Sequence, residues 1–194
     1  GILGDIDCRI VSGIPSYDWK NYRDEDKVTW AHEGTHAINA YIRNTFNSKN
    51  GYYLLDSKGV TLSNPDLTLR DVAEAIPEEN RGKNGSPIYK NYLIDQQKYW
   101  NDSPFYVIDE ISAYLNGTLV GIDEPVNVNR ISESYKFCIE MYYFCEVAQE
   151  LARRIMYEEQ AKLDALMAFF DDEIEEIAIT LKNDHGLVYD RINR

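Results

Sequence analysis

The chain is poor in the residues that usually announce a scaffold. Among 194 residues there are three cysteines, three histidines and six prolines. Cys8, Cys138 and Cys145 are too few and too scattered for a disulfide framework or a four-cysteine zinc site. If Cys138 and Cys145 share a helix, they stand ~10 Å apart along its axis, beyond the ~7 Å reach of a disulfide, so both are expected in the core. Basic residues are also scarce: 20 Lys and Arg face 33 Asp and Glu, a formal charge of −13. Such a surface repels phosphate chains and anionic lipid, which argues against nucleic acid as a partner. No apolar run approaches the ~18 residues of a membrane helix, and Gly1 to Asp5 lacks the basic flank and apolar stretch of a signal peptide. The expectation is a soluble chain with no membrane span. A leader removed ahead of Gly1 would make it secreted or extracytoplasmic, and the compartment and oligomeric state stay open.

Hydrophobic residues make up 44% of the chain, enough for one domain of this length to bury a sizeable core. Loose alternation over Asp5 to Ile14 predicts a short strand ended by Gly13 and Pro15. Asp24-Glu25-Asp26 supplies negative charge at a helix start, and Val28 to Asn44 follows without proline. Tyr52 to Leu55 and Val60 to Leu62 flank the turn-like Asp56-Ser57-Lys58-Gly59 and predict a hairpin. A short helix is expected from Pro65-Asp66 to about Ile76, and a polar surface loop from Glu78 to Pro87. Helices are expected again over Ile88 to Trp100 and over Phe105 to Asn116, the second with Ser103-Pro104 at its start and Gly117 as its stop. After a linker from Gly121 to Asn129, apolar residues recur at helical spacing from Tyr135 to Leu181, predicting one or two long helices. Twelve acidic and four basic residues fall between Ile131 and Thr180, which reads as a solvated helix face or, failing that, a docking surface for a basic partner.

The stretch that carries chemistry is Trp30-Ala31-His32-Glu33-Gly34-Thr35-His36. Two of the three histidines stand four positions apart on a predicted helix, so their imidazoles leave one face at neighbouring heights and can grip one ion. Glu33 is rotated by about 100° from His32, which keeps it out of the inner sphere but near a water on that ion, where a general base belongs. Ala31, Thr35, Ile38 and Ile42 form an inward stripe, and His32, His36, Asn39 and Arg43 a polar one. A catalytic zinc normally takes a third protein ligand and keeps an open position. Asn39 and Ile42 stand where H-E-x-x-H-x-x-G-x-x-H would need glycine and histidine, so a later carboxylate is expected. On the predicted helix around Glu110, residues Asp109, Ser112 and Asn116 share a narrow polar stripe taken as the solvent face, whereas Glu110 lies among Tyr106, Val107, Ala113, Tyr114 and Gly117. A carboxylate embedded in such a surface is costly unless a cation neutralises it. Glu110 is the leading third donor, with Glu74 and His185 as alternatives. His185 also reads as a helix end, stopped by Gly186. Ala113 and Gly117 would let this helix approach the His32 helix closely.

His32-Glu33-Gly34-Thr35-His36, followed by Glu110-Ile111-Ser112-Ala113, resembles the gluzincin zinc metallopeptidases of the zincin superfamily. The likeness covers two helices. It implies an α+β, predominantly helical fold: one zincin-like domain over residues 1–194 with a small β-sheet. Residues 1–128 would form the catalytic core and 129–194 a part of long C-terminal helices. It implies one zinc per chain on His32, His36 and Glu110, Glu33 as the base that activates the zinc-bound water, and peptide-bond hydrolysis on a peptide or protein substrate. It also implies an exposed sheet edge, in the hairpin or the early strand, that pairs with an extended peptide. Some gluzincins place an oxyanion-stabilising tyrosine seven positions before the glutamate ligand. Ser103 stands there, so Tyr106 and Tyr114 become the candidates for that role. Two other functions fit the residues: a zincin-like domain that binds metal or a partner protein without turnover, and a di-metal helical bundle built on Glu33-x-x-His36. The bundle lacks the second Glu-x-x-His it needs.

Overall fold

The computed structural model describes residues 1–11, 25–82, 86–124 and 126–189. The protein is mostly helical with one two-stranded antiparallel sheet. Helix α1 spans Ile2–Val11 and α2 Lys27–Phe46; strands β1, Asn50–Tyr53, and β2, Gly59–Leu62, follow. Next come α3, Leu69–Ala75, a 3-10 turn at Glu78–Asn80, a π-helical segment at Tyr89–Ile94, and α4, Gln97–Trp100. Three long helices complete the described chain: α5, Tyr106–Asp123; α6, Val128–Arg154; and α7, Gln160–His185. None of the described helices is long and apolar enough to cross a membrane.

Helix α2 begins where its charge pattern predicts. The Asp26 carboxylate accepts from the Thr29 amide at 3.0 Å and from the Thr29 hydroxyl at 2.7 Å, satisfying a donor that the first turn leaves free. Arg130 of α6 also reaches Asp26, at 3.2 Å, and so ties the start of α2 to the C-terminal helices. The hairpin forms, with its first strand two residues earlier than expected and Gly59 in the second strand, in the register Asn50↔Leu62 and Tyr53↔Gly59, with Leu55, Asp56 and Ser57 all at positive φ in the turn. Helix α7 ends at Gly186, whose φ of 66° suits the left-handed cap. The amides of Gly186 and Leu187 return to the carbonyls of Lys182 and Leu181.

Several expectations are corrected. The early strand is a helix over Ile2–Val11, because Leu3 and Ile6 bury at helical spacing and Arg9 pairs with Asp5 one turn back. Positions 12–14 of the expected strand lie outside the described residues. Helix α3 starts later than Pro65, at a capping box in which Thr68 and Asp71 satisfy each other's amides. The expected loop from Glu78 carries the 3-10 turn, with Asn80 buried and donating to the Tyr143 hydroxyl at 2.9 Å. The helix expected over Ile88 to Trp100 divides into the π-helical segment and α4.

Helix α5 does not take its cap from Ser103, and Gly117 does not stop it: the helix continues to Asp123. Gly117 serves packing instead. A Cβ there would come within 2.9 Å of the Val28 carbonyl oxygen, so its absence lets α5 lie directly on α2, as the small residues predict. A large apolar cluster joins α3, α5, α6 and α7 through residues such as Val72, Ile108, Phe144 and Phe170. A smaller one joins α1, α2 and the hairpin through Ile6, Trp30, Ile38 and Tyr53. Helix α5 contributes to both, and nearly its whole circumference is buried. Cys138 and Cys145 are free thiols within the large cluster, as their spacing requires.

Candidate metal centre

The two helices that touch at Gly117 carry the candidate donors. His32 and His36, one turn apart on α2, bring their Nε2 atoms to 3.1 Å. The Glu110 Oε2 atom, from α5, lies 3.4 Å from Nε2 of His36 and 3.7 Å from Nε2 of His32. Among the described residues these three side chains form the one group of donors close enough to share a metal ion. Glu74 and His185 are exposed and do not join it.

The donor set fits a small divalent ion. Glu110 is 4% exposed, and its Oε2 has no hydrogen-bond partner among the described residues. A buried orphan carboxylate oxygen is expensive, and a cation between it and two imidazoles removes that cost. Tetrahedral ligands ~2.0–2.1 Å from zinc lie roughly 3.3 Å from one another, close to the separations found here. The electrostatics point the same way. Burial disfavours charge on both imidazoles, and together with His36 it takes His32 well below the ordinary histidine range. At His36 the Glu110 and Asp109 carboxylates outweigh burial and hold the ring well above that range. The three groups together favour a positive charge among them.

A hydrogen bond to Asp109 sets the imidazole of His36. Asp109 Oδ1 lies 2.6 Å from Nδ1, and because a carboxylate only accepts, a proton belongs on Nδ1; a cation that displaced the proton beside Glu110 would then meet the lone pair of Nε2. Asp109 also accepts from Asn39 at 2.9 Å and from Arg43 Nη1 at 2.5 Å. Asn39 is fully buried, donates further to the Ser112 hydroxyl at 2.9 Å, and accepts from the Tyr53 amide at 2.7 Å. One side chain thereby joins α2, α5 and strand β1. Asn116 donates to the Thr35 hydroxyl at 3.1 Å, one turn further along the same seam.

This overturns one expectation. The stripe of Asp109, Ser112 and Asn116 is not a solvent face: Ser112 and Asn116 are buried, and Asp109 is nearly so. It meets the polar stripe of α2, and Asp109 is the site residue that sequence reasoning missed. The signal was present in two polar stripes on neighbouring helices, each with Asn39 or Ser112 at its centre, which satisfy each other only when face to face.

Glu33 lines a cleft of about 420 Å³ together with His36, Glu110, Asp109 and Arg43. Burial, reinforced by Glu110, raises its proton affinity against the opposing effect of His36. Tyr106 also lines the cleft, stacked on Trp100 with ring centroids 5.3 Å apart. Burial first, then the nearby Glu110 carboxylate, keeps its hydroxyl protonated. Tyr114 faces elsewhere. Its ring packs edge-on against His32 at 4.4 Å, and its hydroxyl meets that of Tyr92, from the π-helical segment, at 2.5 Å.

No protein-family model, curated protein or solved structure matches this chain.

Proposed function

We propose that this protein is a zinc metallopeptidase of the gluzincin kind, hydrolysing peptide bonds with one zinc held by His32, His36 and Glu110. The observation that carries the reading is the convergence of three donor atoms on one point, one of them the orphaned, buried Oε2 of Glu110. Zinc bound there supplies Lewis acidity to a water molecule and to the substrate carbonyl. The chain supplies the rest. Asp109 keeps the proton of His36 on Nδ1, so the imidazole presents a lone pair to the cation. Glu33, with a raised proton affinity, accepts the proton of the attacking water as the new carbon–oxygen bond forms. It returns that proton to the amine nitrogen as the carbon–nitrogen bond breaks, so the carboxylate is regenerated. Trp30, Trp100 and Tyr106 give the cleft aromatic walls.

The test is digestion of a mixed peptide library by the zinc-loaded chain, with cleavage blocked by a chelator and restored by zinc. Glu33→Gln is expected to lower turnover at least about a hundredfold while one zinc per chain stays bound. Absence of cleavage under every metal condition overturns the reading. One observation favours a second reading, a zincin-like domain that binds metal or a partner without turnover. Of the two tyrosines flanking Glu110, Tyr114 is committed to Tyr92 and does not line the cleft, which leaves Tyr106 alone for the oxyanion. Retention of zinc with no hydrolysis selects it.

A further inference from the structure

The cleft runs along one side of α2. Trp30, Glu33, His36, Ala37, Ala40 and Arg43 all line it, from an aromatic residue one turn before the candidate base to a guanidinium two turns beyond His36. Ala37 and Ala40 leave the wall between His36 and Arg43 low, so an extended chain can lie close to the helix there. Among the described residues Arg43 is the one Lys or Arg of this wall, in a protein whose formal charge is −13.

Its guanidinium is held but not used up. Among the described residues its hydrogen-bonding partner is Asp109, through Nη1 at 2.5 Å, and its side chain remains 24% exposed. A guanidinium offers five N–H donors in a planar fork that matches a carboxylate with two parallel bonds. Asp109 receives one of them and is already shared with His36 and Asn39. Asp109 therefore fixes the position of Arg43 without occupying its fork. The same carboxylate bridges Arg43 and the imidazole of His36, so the guanidinium lies one carboxyl group away from a candidate zinc ligand. An extended peptide, at ~3.3 Å per residue, covers such a span in about two residues.

We infer that Arg43 reads a carboxylate on the bound peptide, within about two residues of the bond aligned with Glu33 and His36. The placement of that bond rests on the peptidase reading. The carboxylate is either an Asp or Glu side chain or the peptide's own C-terminus. The cleft thus runs against the general charge of the molecule: an acidic protein would be expected to favour basic or neutral peptides, whereas this wall offers a guanidinium to an acidic group.

The experiment separates recognition from turnover. Zinc-loaded Glu33→Gln chain is immobilised and exposed to a randomised octapeptide pool prepared as free acids and as C-terminal amides, and retained peptides are sequenced by mass spectrometry. Retained peptides are expected to be enriched roughly tenfold in the acidic feature, the scale of one charge-assisted hydrogen-bonded pair. Loss of enrichment on amidation identifies the C-terminus, and its persistence identifies the side chain. Adding Arg43→Gln should remove the enrichment with zinc content unchanged, while Arg43→Lys, which keeps the charge without the fork, should retain part of it. Equal retention of acidic and neutral peptides, or enrichment indifferent to Arg43→Gln, overturns the inference. If the unsubstituted chain cuts the pool with no acidic residue or free carboxyl favoured near the cut, the inference falls and the peptidase reading stands. If nothing is cut but retention is acid-selective and depends on Arg43, the peptidase reading falls and carboxylate recognition stands.

Discussion

Asp109 Oδ1 approaches His36 Nδ1 to 2.6 Å, on the side of the imidazole opposite the nitrogen that faces Glu110. Adjacent residues of one helix thus hold the two ends of a single histidine ring from another. Asp109→Asn removes the acceptor charge that fixes the ring's tautomer. Zinc affinity, measured by competition with a chromophoric chelator, should fall about 10- to 100-fold while the helical circular dichroism is kept. An unchanged affinity would mean that the contact does not support metal binding.

The orphaned oxygen of Glu110 predicts that a divalent cation stabilises the folded protein. Zinc at a hundredfold excess over its dissociation constant should raise the unfolding free energy by about 2.7 kcal/mol, seen as a higher melting temperature. Glu110→Ala should abolish that shift. A shift that survives the substitution would place the ion elsewhere.

Gly117 makes the ligand-bearing helices touch. Gly117→Ala puts a Cβ within 2.9 Å of the Val28 carbonyl oxygen, a backbone atom that cannot swing aside. The expected cost is about 1–3 kcal/mol in denaturant unfolding, with weaker zinc binding because Glu110 is pushed away from His32 and His36. Gly4→Ala, whose Cβ meets nothing within 4 Å, serves as the contrast and should be neutral or slightly stabilising.

Glu140 is the exception on the acidic C-terminal helices. It is buried, its Oε1 has no partner among the described residues, and burial raises its pKa above the ordinary 4.5 despite the Ser86 hydroxyl. A raised folded-state pKa means that the folded protein binds this proton more tightly than the unfolded chain does. The group therefore withdraws stability as pH rises from its unfolded value through its folded one. Glu140→Gln should match the parent below about pH 4 and exceed it at neutral pH, by about 1 kcal/mol. Denaturant melts at a series of pH values check this, and a difference independent of pH would sink it.

The H-E-x-x-H stretch was legible because its geometry is local. A four-residue step on a helix puts two imidazoles on one face whatever surrounds them, and Asp26, the hairpin turn and Gly186 act on backbone groups within a few positions of themselves. Failures came where two periodicities compete or where a neighbour decides. Ile6, Cys8 and Ile10 fit a loose alternation over a short window as readily as Leu3, Ile6 and Ile10 fit helical turns, and contact with α2 selects the helix. Glycine at position 117 has two uses, to end a helix or to let another one near. Only the presence of the Val28 carbonyl selects the second.

The amino-acid order by itself determined which side chains could serve as donors, which helix faces are polar, and that Glu110 stands apart from the stripe of its neighbour Asp109. It did not determine what those faces meet. Periodicity reports that the sides of a helix differ, not whether the polar one looks at water or at another polar side. Because α5 is buried nearly all round, Asp109, Ser112 and Asn116 found partners in His36, Asn39 and Thr35 rather than in solvent. The packing of α5 on α2, a contact between segments some eighty residues apart, turned two separate patterns into one site.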